Sequence, residues 1–311
     1  MSVQEEAAVT AEPVERPNSR GVALAVVGLA WMAGMLWSAR ATITGRVDAE
    51  TAVTSTAYAL PGAISASLVA GAAVALAVIT AAGRRRELGA TVRFAITTGS
   101  GLLLGLVGAL TFVTINTEGW LYAVVGGTVA AATTIGGALA GSGFADRGPR
   151  VVAAACWAAI VVFLVGFALN VAQAPLLNAF GAGDTSASQT SAANWFSFTQ
   201  SLLSGVAAGV VAYRVLRRGA RTEVRWPLYA LAGAGPGLVG LLAEGLARTA
   251  GARVLSLAGK VSDLELTVQH MLSGARLNSA LIVLFVGAIT ALIAFGRTLK
   301  PAPEPDTAAD D

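Results

Sequence analysis

Eight long apolar runs, none with a charged residue near its middle, restrict this chain more than any other feature. They cover roughly residues 21–39, 57–82, 94–115, 120–141, 151–173, 195–213, 227–247 and 277–296. About 20 mostly apolar residues cross the ~30 Å hydrocarbon core of a bilayer as a helix. A charge at the centre of such a span costs roughly 2.5–3.5 kcal/mol on insertion scales, so the clean interiors are themselves a signal. In lipid every backbone N–H and C=O must find an internal partner, which leaves helices or a closed barrel. A barrel requires strict alternation over segments of about 10 residues, and these runs do not alternate. The chain is 55% hydrophobic and only 13% charged, against roughly 25% charged in soluble domains. The prediction is an all-α, polytopic transmembrane bundle of about eight spans, occupying residues 21–298.

The first run follows Arg16 and Arg20 and resembles a secretory signal in outline. Its apolar stretch, Gly21 to Ala39, exceeds the roughly 7–15 residues of a signal-peptide core, so an uncleaved span is expected. Residues 1–20 and 299–311 are acidic and proline-containing and hold little to bury, so both are expected to be disordered tails.

Orientation follows from where the 21 Lys and Arg residues fall. With a cytoplasmic N-terminus, fifteen lie on the cytoplasmic side, concentrated in "GRRRELGATVR" and "RVLRRGARTEVR". Six, Arg40, Arg46, Arg248, Arg253, Lys260 and Arg276, lie outside. That is the positive-inside bias, and eight spans return both termini to the cytoplasm. Trp37, Tyr58, Trp120, Trp195 and Trp226 fall at span ends, as an aromatic belt would. Abundant Ala, Gly and Arg suggest a bacterial source, and so a multi-pass protein of the bacterial cytoplasmic (inner) membrane.

Chemical groups are scarce. One cysteine, Cys156, excludes an intrachain disulfide. One histidine, His270, excludes a zinc site built on several His ligands. No H-E-x-x-H, phosphate-binding loop or G-x-S-x-G elbow is present. No catalytic residue, metal site or cofactor is assigned, and nothing points to nucleic acid. The paired acids Asp48 and Glu50, and Asp263 and Glu265, read as solvated surface, with Asp48 and Glu118 as remote transferase candidates. Inside the spans the one ionisable candidate is Glu244, in the last turn of span seven. Arg248 follows it at the favoured i,i+4 spacing.

Span seven raises the main functional question, because "YALAGAGPGLVGLLAEG" (229–245) combines apolarity with five glycines and Pro236. Tyr229, Gly233, Gly235, Pro236, Gly237 and Glu244 are therefore a candidate gate or substrate path. The competing explanation is packing. G-x-x-x-G pairs recur at Gly101/Gly105, Gly137/Gly141, Gly205/Gly209 and Gly233/Gly237, and small residues let helices approach closely in lipid. Pro61, near the predicted start of span two, lies where proline is tolerated. The hexapeptide from Tyr58 matches the one from Tyr229 in part, without an extended repeat. A transporter would carry a mid-membrane cavity lined by groups such as Ser65, Thr97, Thr98 and Tyr229.

Between spans seven and eight, Val254, Leu257, Val261, Leu264, Val268 and Met271 recur at spacings of three and four. That spacing predicts an outer amphipathic helix near 252–273, resting on lipid or serving as a face for a membrane or envelope protein partner. Two functions are expected: a non-catalytic scaffold or accessory subunit of a cell-envelope complex, or a permease or flippase for a small or lipid-like molecule using span seven.

Overall fold

The computed structural model describes residues 19–44, 49–83, 89–114, 120–142, 148–219, 225–252, 254, 256 and 263–298. All regular structure among them is helical: α1 (Ser19–Thr44), α2 (Ala49–Ala82), α3 (Ala90–Val113), α4 (Trp120–Gly141), α5 (Gly148–Val171), α6 (Gln173–Ala179), α7 (Ser186–Gly219), α8 (Trp226–Thr249) and α9 (Asp263–Gly296). Eight of these, all but the short α6, are long and apolar enough to cross a membrane. The eight predicted spans each fall on one of them. The predicted tails lie outside the described residues except for Ser19 and Arg20, which begin α1 instead.

Three helix starts differ most from expectation, one being that of α7, which begins at Ser186, ahead of its predicted span. Helix α2 begins at Ala49, so Pro61 lies in its interior rather than near its start. Helix α9 begins at Asp263 and runs unbroken to Gly296. Residues 263–273, expected on the outer surface, therefore continue directly into the eighth span. With 34 residues each, α2, α7 and α9 reach about 51 Å at 1.5 Å per residue, longer than the hydrocarbon core is thick.

The helices form two groups, α1–α4 and α5, α7, α8, α9. Within the first, α1 packs on α2 and α3, α2 on α3 and α4, and α3 on α4. Within the second, α5 packs on α7 and α8, α7 on α8 and α9, and α8 on α9. The wiring is the same, helix for helix. Neither α1 with α4 nor α5 with α9 makes contact among the described residues. Four spans per group mean that both groups start on the same side of the bilayer, the arrangement of a parallel repeat.

The sequence carries a trace of this. Gly101, Gly105 and Gly108 of α3 match Gly233, Gly237 and Gly240 of α8 in spacing, and both stretches read Gly-Leu-Val-Gly at 105–108 and 237–240. An Arg-aromatic pair, Arg93-Phe94 and Arg225-Trp226, stands at the same spacing before Gly101 and Gly233. The packing corresponds as well. Gly101 and Gly105 abut Thr133, Gly137 and Ala130 of α4, while Gly233 and Gly237 abut Gly287, Ala291, Leu284 and Ala280 of α9. The true correspondence is thus span three with span seven, not span two with span seven.

The α2 helix is the hub: its span has the largest buried share of the eight, and it touches α1, α3, α4, α5 and α8. The outward faces stay apolar. Leu103, Val107 and Phe285 are 67%, 65% and 60% exposed, a surface that only hydrocarbon accommodates. Trp120 and Trp226 are exposed at the starts of α4 and α8, while Trp37, Tyr58 and Trp195, also exposed, lie well inside α1, α2 and α7.

Candidate functional site

The two groups are joined through α2 against α8 and α5, α1 against α5, and α4 against α5 and α8. At the end of the bundle where α2 begins and α8 ends, they part around a cavity of about 480 Å³. Its wall is mostly apolar: Trp31 and Met35 from α1, Pro61 and Gly62 from α2, Val162 and Phe163 from α5, Pro236 and Val239 from α8, and Leu272 and Val283 from α9. Polar groups are few. They are Ser65, Ser197, Ser279, Glu244 and Arg276. Below the cavity, Leu24, Val69, Ala73, Leu76, Ala140, Cys156 and Ile160 pack into a dry core shared by α1, α2, α4 and α5.

Glu244 is the chemical centre of this wall. Its side chain is only 3% exposed. Arg248 Nε donates to Oε1 at 3.0 Å from one turn along α8. Arg276 Nε donates to Oε2 at 2.9 Å from α9. The Ser273 hydroxyl donates to Oε1 as well, and Arg248 Nη2 donates to Ser273 Oγ at 2.5 Å. A carboxylate at this depth persists because opposite charge and hydrogen bonds offset its lost hydration. The cluster ties α8 to α9 where the glycine contacts end.

A second cavity, also about 480 Å³, lies on the other side of the cluster. Ala57, Tyr58, Arg248, Gln269, His270, Ser273 and Arg276 line it. Arg276 lines both cavities. The ion cluster therefore lies between the chamber and a vestibule with more polar side chains in its lining. His270 is exposed on the vestibule side.

The predicted gate residues separate. Pro236 and Glu244 line the chamber. Gly233 and Gly237 serve the α8–α9 contact, and Gly235 meets Ala155 of α5. Tyr229 sits toward the opposite end of α8, stacked between Tyr213 and Phe295 with ring centroids 5.8 and 4.9 Å away. Of the expected polar lining only Ser65 is in place. Thr97 donates within α3 to the carbonyls of Arg93 and Phe94. Thr98 Oγ1 is buried with no hydrogen-bond partner among the described residues.

On the predicted partner face, Val254 is fully buried in the core of the first group, Val268 is half-buried and Met271 is 72% exposed. Leu257 and Val261 lie outside the described residues, as do the side chain of Leu264 and the acids Asp48 and Glu118. Sequence reasoning missed Arg276 and Ser273. A signal was present: Gln269, Ser273, Arg276, Ala280 and Val283 recur every three or four residues, one polar-to-apolar stripe on α9.

Eight helices long and apolar enough to cross a membrane, six of them lining one chamber, are consistent with a multi-spanning membrane protein. No family model, curated protein or solved structure matches the chain.

Proposed function

We propose that this protein is a permease or flippase for a lipid-like molecule, working by movement of its two four-helix groups about the chamber between them. The chamber itself carries the proposal: a mostly apolar cavity at the seam of two equivalently wired halves, with one ion cluster in its wall. Sites at the interface of repeated halves are the usual arrangement in transporters that alternate access. The dry core below it, rich in Ala, acts as the closed side of the pathway. Pro61 and Pro236 both line the chamber from helix interiors. Each lacks an N–H, which weakens the helix locally and lets it bend.

The scaffold alternative draws less support, since Val254 of its docking face is buried. The arginine bias supports cytoplasmic termini, and on that reading the vestibule faces outward. The test is reconstitution in proteoliposomes with fluorescent phospholipid. Dithionite, which cannot cross the bilayer, should bleach more label than the outer leaflet holds. Bleaching confined to the outer leaflet, in vesicles verified to contain folded protein, contradicts the proposal.

A further inference from the structure

The geometry points to a binding site for an oxyanion carried on an apolar body, with Arg276 as the receiving group and Glu244 as an internal stand-in for the ligand's charge. This inference rests on the transport proposal and names its substrate class.

Three observations converge on Arg276. First, among the described residues two guanidinium groups, those of Arg248 and Arg276, share the single carboxylate of Glu244. A guanidinium sharing its carboxylate with a second one retains capacity to pair with another anion. Second, the guanidinium fork offers five donors. Arg276 uses Nε on Glu244, and its two terminal nitrogens make no hydrogen bond among the described residues. Third, Arg276 is 34% exposed and borders both cavities, so a ligand in either can reach it.

The flanking walls then specify the rest of the ligand. A phosphate or carboxylate matches a planar fork bidentately. The chamber wall of Trp31, Met35, Phe163, Val239 and Leu272 suits a hydrocarbon body, and away from Arg276, Glu244 and three serines it offers a sugar little to bond. Such a ligand would compete for the one hydrogen bond Arg276 now gives Glu244. The exchange loosens the tie between α8 and α9 and couples occupancy to helix movement.

The test is native mass spectrometry of the full chain in neutral detergent, titrated separately with dioleoyl phosphatidic acid, dioleoyl phosphatidylcholine, octyl phosphate and inorganic phosphate. Phosphatidic acid or octyl phosphate should bind better than the other two. The first result identifies a membrane lipid as the source and the second a water-soluble amphiphile. Arg276→Gln should weaken that binding about tenfold or more, as loss of a charge-assisted contact does. Arg276→Lys, which keeps charge without the fork, should recover part of it. Glu244→Gln should tighten binding by removing the competing carboxylate. Arg40→Gln is the control, because Arg40 is already bonded to the Thr111 carbonyl and the Thr114 hydroxyl at a separate groove. Binding indifferent to Arg276→Gln, binding lost in Arg40→Gln instead, or inorganic phosphate bound as tightly as octyl phosphate overturns the inference. Binding without transbilayer movement removes the transport proposal and leaves the site. Movement that survives Arg276→Gln removes the site and leaves the transport proposal.

Discussion

Glu244 shows how far single residues could be read. Its pairing with Arg248 follows from an i,i+4 spacing that any helix enforces. Its bonds to Ser273 and Arg276 arise 29 and 32 positions away, and no local rule reaches that far. They depend on the register of α9 against α8, which the glycine contacts set. The two arginines differ in weight. Arg248 is 48% exposed, and solvent-screened pairs contribute only about 0–1 kcal/mol. Arg276 sits deeper and bridges two helices. Glu244→Ala leaves both guanidinium groups without their carboxylate and should destabilise by about 3 kcal/mol or more. Arg248→Gln should cost less than about 1 kcal/mol. Thermal unfolding in one detergent, followed by circular dichroism, checks the ranking. Equal losses for the two variants would mean that Arg276 does not dominate the cluster.

At the scale of helices, the spans were legible because each needs only length and apolarity. The glycine patterns were legible as packing, and that reading holds for α3, α4, α7 and α8. Which helix each glycine meets was not legible, since small residues permit close approach to any neighbour. Gly101 lies against the backbone of Thr133 and Gly137, where an added side chain has no room. Gly127 faces open space. Gly101→Leu should therefore destabilise by about 1–3 kcal/mol or more, the cost of overpacking, while Gly127→Leu should be close to neutral. Because α8 repeats the α3 arrangement, Gly233→Leu should resemble Gly101→Leu. Unfolding midpoints of the three variants settle this, and a mild Gly233→Leu would break the equivalence of the two interfaces. The repeat escaped notice because its signature is three glycines and a Leu-Val pair within an Ala- and Gly-rich background. Such a match acquires meaning only when both copies are seen facing equivalent helices.

On the scale of the whole molecule, the bundle is two four-helix groups that meet at a seam, closed toward one end and open around a chamber at the other. The overall class followed from composition and span count. The seam could not, because it depends on which helices are neighbours and where they part. If the groups are structural units, fragments 1–145 and 146–311, divided between α4 and α5, should assemble when expressed together. Co-purification of a tagged first fragment with the second is expected. Failure of the second fragment to co-purify would argue against two units that dock at the seam. The direct test of the central claim, that water enters the seam from the Arg276 end, uses the single cysteine. With Cys156 replaced by alanine, cysteines are placed one at a time at Ser197, Ser279, Ser65 and, as buried references, Ala158 and Ala208, both 0% exposed. A membrane-impermeant thiol reagent should label the three serine positions from the vestibule side and spare both alanine positions. Protection of all five positions alike would contradict a chamber open between the two halves.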